Sequence, residues 1–234
     1  MRLGFRLVWI LGLVVLANAG CIEVSGASAV LELVIEDAEG RLEGVRVCEG
    51  DTDNCAVSDV NGEVTLEVPA GQEIFYTLQK ERYDSFLFAD VIPESGSSRV
   101  WYLQTDEEAT PFHEELMSPY PRQSTGGIQI FLIPAFAGAT FDLADATGKI
   151  YYEPYQVPWN PPPYTDPDLE ATSEGGAGGF VEITAPGTVR IEFGGTAERC
   201  VPETAWPADV ENSVRVPVRE DHLSIVSVNC PLPP

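Results

Sequence analysis

The sequence predicts an all-β protein: a signal peptide followed by two antiparallel β-sandwich domains. Three observations carry this reading. Apolar residues recur at every second position in several short segments after residue 29, which is the period of a half-buried strand. Clusters of Gly, Pro, Asn and Asp break these segments at short intervals, as turns between strands do. Beyond residue 20, no stretch keeps a 3.6-residue apolar period over three turns.

The first twenty residues read as an export signal. Arg2 and Arg6 give a positive start, Leu7 to Leu16 is apolar, and small residues follow. That is the order of a secretory signal, and the apolar run is shorter than the about 20 residues a bilayer needs. Two cleavages fit. Ala17-Asn18-Ala19 is an A-x-A site that would release a chain beginning at Gly20. Ala19-Gly20-Cys21 resembles the end of a bacterial lipoprotein signal, which implies a lipid (a palmitoylated anchor) on Cys21 and cleavage before it. That family usually carries Leu where Asn18 stands.

The cysteine count favours the anchor. The chain has five cysteines, Cys21, Cys48, Cys55, Cys200 and Cys230. In an oxidising compartment an odd cysteine is a reactive leftover. Taking Cys21 as the lipid carrier leaves two local pairs, Cys48 with Cys55 and Cys200 with Cys230. On a chain-entropy account these two staples are worth about 2.5 and about 3.5–4 kcal/mol.

Charge narrows the partners. Removing residues 1–20 leaves 11 basic and 37 acidic residues, a formal charge of −26 (11 − 37). Such a surface repels nucleic acid phosphates and anionic lipid alike. The expected partners are therefore the membrane through a lipid anchor, and an envelope protein or glycan. The plain reading of the charge is solubility.

Within the exported part, 21–29 is a short small-residue tether. In "VLELVIE" Leu31, Leu33 and Ile35 face one way and Glu32 and Glu36 the other, and a turn follows at Asp37-Ala38-Glu39-Gly40. Val45 and Val47 then alternate with Arg46. Asn61-Gly62 predicts a hairpin turn, since both positions tolerate positive φ. Val64, Leu66 and Val68 face the core beyond it, and further strands are expected at 73–78, 86–91 and 99–103.

The stretch "DAEGRLEGVRVC…VSDVNGEVTLEVPAG" resembles the carboxypeptidase regulatory-like (transthyretin-like) domain, at Asp37, Gly40, Leu42, Gly44, Val45, Val47, Asp59, Asn61, Gly62, Leu66, Val68, Pro69 and Gly71. The resemblance spans 30–105. It implies a seven-stranded sandwich of transthyretin-like or Ig-like type and an accessory module without chemistry of its own. Residues 106–126 read as a linker. Over 127–230 the pattern recurs in diverged form, with "GGFVEITAPGTVRIEF" set against "NGEVTLEVPAGQEIFYTL", giving a second sandwich and a tail at 231–234.

Catalytic candidates are few. The two histidines, His113 and His222, lie in no H-x-x-E or H-E-x-x-H pattern, and no G-x-S-x-G elbow is present, so neither a zinc hydrolase nor a serine hydrolase is expected. The histidine signatures of the hydroxyisourate hydrolases and the H-x-H of the intradiol dioxygenases, which share related sandwiches, are also missing. No metal or cofactor is expected. Asp51, Asp53 and Asn54 alternate as calcium ligands can, but lack the distal Glu of an EF-hand and fit a tight turn. The segment 151–164 gathers Tyr151, Tyr152, Tyr155, Trp159 and Tyr164 with five prolines. Flat aromatic faces on a stiff loop suit a sugar or peptide, and the same loop can instead cap a sandwich edge. The expected protein is a non-catalytic cell-envelope lipoprotein acting as a binding or structural module. The alternative is a soluble secreted carbohydrate- or peptide-binding protein using that loop.

Overall fold

A computed structural model of the chain describes residues 26–154, 164–184 and 187–231. The first strand, β1 (Ser28–Asp37), alternates as its sequence dictates, with Leu31, Leu33 and Ile35 buried. The Asp37 carboxylate accepts the N–H groups of Glu39 and Gly40 at 2.9 and 3.2 Å, which turns the chain into β2 (Gly40–Arg41). Next, β3 (Arg46–Glu49) and β4 (Cys55–Val57) form a hairpin with Cys48 directly opposite Cys55.

Asn61-Gly62 does not close a hairpin. Asp59 accepts the N–H groups of Asn61 and Glu63. The turn carries the chain from β4 in one sheet to β5 (Glu63–Pro69) in another. Gly62 is required here, because its φ is 70° and a Cβ would stand 2.3 Å from the Ile35 carbonyl oxygen. The dipeptide marks a tight turn whatever it joins, so it cannot tell a hairpin from a crossover between sheets.

The chain continues through β6 (Glu73–Gln79), β7 (Ser85–Val91) and β8 (Ser97–Tyr102). Residues 106–115, expected as linker, form helix α1 (Asp106–Glu115). Thr105 and Glu108 close a reciprocal capping box, and three acids occupy the first turn, each favourable at a helix N-terminus. The second half comprises β9 (Gly126–Ile133), β10 (Ala139–Leu143), β11 (Lys149–Tyr152), β12 (Ala177–Ile183) and β13 (Gly187–Gly195). It ends with β14 (Val201–Pro202), β15 (Trp206–Pro207), β16 (Ser213–Val218) and β17 (His222–Asn229).

These strands make three sheets. A four-stranded sheet joins β2, β1, β5 and β8, and another runs β10-β13-β16-β15. A nine-stranded sheet runs β11-β12-β9-β17-β7-β6-β3-β4, with β14 also beside β17. The last strand thus lies in the middle of the largest sheet, parallel to both β7 and β9. Its alternating residues serve two cores. Leu223 and Ile225 pack with residues between Ala29 and Leu103, while Val226 and Val228 pack with residues between Ile128 and Cys230. Because adjacent strand residues face opposite ways, the two cores lie on opposite faces of the shared sheet.

The parallel drawn between "GGFVEI" and "NGEVTLEV" fails in topology. The first becomes β12 of the nine-stranded sheet, and the second becomes β5 of a four-stranded one. Strand β5 alternates as its sequence predicts, but β12 is buried on both faces with a bulge between Phe180 and Ile183, and sheet membership is set by long-range partners.

A chain ended after Glu220, without β17, is expected to lose the cooperative unfolding transition of residues 30–105 as well as that of 127–230. Urea denaturation followed by tryptophan fluorescence and near-ultraviolet circular dichroism would check this. A first half that still unfolds cooperatively would show that it stands without the last strand.

Candidate functional site

Two polar places stand out from the apolar cores. The first is buried, on the face of the nine-stranded sheet covered by α1. Arg122, just before β9, donates from both terminal nitrogens to the Asp84 carboxylate at 2.5 and 2.6 Å, and both side chains are only 3% exposed. Asp84 immediately precedes β7, so the pair spans β17, which lies between β7 and β9. His113, on the inner face of α1, is 1% exposed, lies 4.8 Å from the Tyr120 ring at a tilt of 31°, and neither ring nitrogen has a partner. Burial, and then the Arg122 charge, push its pKa down to about 4 against a weaker pull from Asp84. Further along the same face, Tyr151 donates to Gln129, which donates to the Glu153 carboxylate at 2.7 Å. Burial raises the Glu153 carboxyl above its usual range, opposed by the Gln129 bond.

The second place is an open cleft of about 630 Å³ on the opposite face. Its floor is the outer surface of β3 and β6, with Arg46, Cys48, Thr77 and Gln79. Its walls are the β3–β4 turn, with Asp51, and the β16–β17 turn, with Arg219 and His222. Arg219 is paired with Asp51 and lies over the Phe75 ring at 5.7 Å. His222 is engaged at both ring nitrogens, by Gln79 at 2.9 Å and the Glu220 carbonyl at 2.7 Å. Burial lowers its pKa. Arg46 reaches the Cys55 sulfur at 3.4 Å.

Both predicted disulfides are present, Cys48–Cys55 with Cα atoms 4.1 Å apart and Cys200–Cys230 at 4.2 Å. The aromatic segment comes apart. Tyr151 and Tyr152 are buried in β11 rather than displayed, Tyr151 under Phe112 of α1 and Tyr152 against Phe141. They fall at adjacent positions of a strand with a core on each face, so both rings pack inward. Tyr164 is half-buried, and its backbone N–H, with that of Thr165, is held by the Glu115 carboxylate. Cys21, Tyr155 and Trp159 lie outside the described residues.

The segment Asp51 to Asn54 is a turn. The Asn54 amide donates to the Glu49 carboxylate and the Glu67 carbonyl, and Asp51 faces Arg219. Among the described residues no group of three or more His, Cys, Asp or Glu is disposed to hold a metal. Two features escaped the sequence reading. The capping box Thr105-x-x-Glu108 was legible but masked by Pro111, which argues against helix. The Asp84–Arg122 pair had no signal, because its members are 38 residues apart.

No protein-family model matches the chain, and no curated protein matches it in sequence. Similarity to solved structures is weak. The Bacillus anthracis TIE protein shares 13% identity at a TM-score of 0.29, over 87% of this chain and 33% of its own. A streptococcal ancillary pilin shares 13% at 0.26, over 89% and 64%. Shaft pilin SpaA of Lactobacillus rhamnosus GG shares 9% at 0.25, over 88% and 100%. The chain thus spans about a third of the TIE protein. Scores of this size carry no argument, and the all-β class rests on the strand pairing itself.

Breaking the buried ion pair should be costly. Arg122→Met is expected to lower stability by about 3–5 kcal/mol, because Asp84 is left charged and buried. The double variant Asp84→Leu/Arg122→Met should cost clearly less, as read from urea unfolding midpoints at neutral pH.

His113 should make the fold acid-sensitive. Its folded pKa lies below the unfolded value of 6.5, so the unfolded chain takes up the proton first. The stabilisation is complete above about pH 6.5 and is lost as pH falls towards 4, by about 3 kcal/mol in all. His113→Phe, which keeps a flat ring, should flatten this part of the pH–stability curve in denaturant titrations. The part due to His222 should remain.

Proposed function

We propose that the protein is a non-catalytic, exported module of the cell envelope, held at a membrane by a lipid on Cys21. The carrying observation is the pairing of the other four cysteines with one another, which leaves Cys21 no cysteine in the chain to bond. The leader before it supports export. The described fold begins at β1, on Ser28, so the tether 21–27 reaches at most about 25 Å at full extension. The −26 charge would hold the folded part off an anionic surface, leaving membrane attachment to the lipid.

The two halves, 30–105 and 127–230, joined through the shared nine-stranded sheet, would then form a spacer or a platform for an envelope protein or glycan. The carboxypeptidase regulatory-like resemblance, an accessory and non-catalytic type, is consistent with this. So is the setting of the histidines: His113 is sealed and His222 is engaged at both nitrogens. The glycan- or peptide-binding reading of 151–164 now rests on Tyr155, Trp159 and Tyr164, since Tyr151 and Tyr152 are core.

Metabolic labelling with radioactive palmitate is expected to mark the protein in a bacterial host. Cys21→Ser should abolish both the label and recovery with membranes. A mature N-terminus at Gly20 with a free Cys21 thiol would instead support the soluble, secreted alternative.

A further inference from the structure

Among the strands at the rims of the three sheets, β8 is the one left open to pairing. Strands β2, β4, β14 and β15 are three residues or fewer. Strands β5, β10 and β11 carry Glu63, Asp142 and Lys149. Short rims and charges are what keep a sheet edge from pairing with another chain. Strand β8 has six residues and no proline, and its outward side chains are Ser98, Val100 and Tyr102. All three are exposed, Val100 by 60% and Tyr102 by 49%. Its one charge, Arg99, lies on the opposite face, paired with Asp90 of β7 at 3.2 Å.

The backbone of this rim is free. Strand β8 runs parallel to β1 with Tyr102 opposite Glu36, and the Leu103 N–H bonds the Glu36 carbonyl at 2.8 Å. Along a strand, alternate residues turn both backbone groups to the same side. Residues 97, 99, 101 and 103 therefore face β1, and Ser98, Val100 and Tyr102 turn their N–H and C=O groups away from it. Among the described residues no strand lies on that side. Among them, too, these groups have a single bond, from the neighbouring Arg99 side chain to the Ser98 carbonyl at 3.5 Å.

Charge decides what can pair there. Where β8 ends, a hollow of about 400 Å³ is lined by Asp37, Glu39, Glu107 and Glu108, and by no Lys or Arg. Tyr102 reaches towards it, its hydroxyl donating to Glu108 at 3.2 Å. A second copy of this chain, of formal charge −26 without residues 1–20, would bring like charges together across the new pairing, which is unfavourable. We propose that the rim of β8 is a docking site for an extended segment of a partner protein, which pairs with it as an added strand and places a Lys or Arg in the acidic hollow. Main-chain bonds give such pairing its strength, and alternate side chains its selectivity. Residues such as Val, Ile or Thr in the segment fit beside Val100 and Tyr102. The proposal deepens the platform reading above and rests on it for the partner's being an envelope protein. Palmitate labelling reads the anchoring separately, so either can fail alone.

The test uses the purified full chain and a labelled synthetic peptide of alternating Val and Thr with Lys at each end, followed by fluorescence anisotropy. Binding is expected, with hydrogen exchange slowed at the amides of Ser98, Val100 and Tyr102. The same peptide with Glu at each end should bind about tenfold more weakly. The Lys peptide should lose affinity several-fold on a Glu39→Gln/Glu107→Gln chain. Val100→Pro removes an outward N–H and no bond to β1, so it should abolish binding with an unchanged thermal transition, whereas Val100→Thr should retain it. Should Val100→Pro disturb the fold, the exchange measurement on the original chain decides. No binding, exchange slowed at a different rim, or equal binding of the Lys and Glu peptides would each overturn the proposal. So would a dimer that Val100→Pro dissolves, which would assign the rim to a second copy.

Discussion

The placement of β17 governs the rest of the architecture. A C-terminal strand that hydrogen-bonds β9 on one side and β7 on the other joins two sets of strands that would otherwise each present an open edge. Open edges carry unpaired N–H and C=O groups, and burying them unsatisfied is costly. The same strand sends Leu223 and Ile225 into one core and Val226 and Val228 into the other. Every residue from His222 to Val228 is buried, which is the pattern of a strand covered on both faces. Such pairing closes a very long loop, so it belongs to the slow class of folding events.

Around β17 the polar groups are arranged to hold register. The Asp84–Arg122 pair ties the start of β7 to the approach of β9 across it. Gly126, at the head of β9, has no room for a side chain, since a Cβ would lie 2.4 Å from Val218 and 2.6 Å from the Arg219 carbonyl oxygen. That close approach lets the β16–β17 turn pass over the strand. A buried ion pair is weak evidence of net stability, but it disfavours any pairing that separates its members. Its value here is to penalise a shifted β7 or β9.

The two faces of the shared sheet differ in consequence. Where α1 lies on it, the sheet is sealed, and His113 is kept neutral there by burial. On the other face the β10-β13-β16-β15 sheet covers part of the surface, reaching Ile74 through the Trp206 indole N–H at 2.9 Å. It stops short of the outer end of β3, where Arg46 is exposed. The cleft, with Arg46, Cys48 and Gln79 on its floor, is that uncovered remainder.

Local pattern sufficed for the strands themselves. Leu31, Leu33 and Ile35, and Val64, Leu66 and Val68, are buried as their alternation requires, because a period of two admits only one inward face. The cysteine pairing was legible for a similar reason, since each pair is close in sequence or in one half of the chain. Tertiary structure alone decided which sheet each strand joined, that β17 completes both cores, and that Tyr151 and Tyr152 pack inward on opposite faces of β11. Alternation states that a strand has an inside; it does not state what lies there. That depends on partners a hundred or more residues away, as for Trp206 on Ile74 and His222 on Gln79, and no local pattern encodes them.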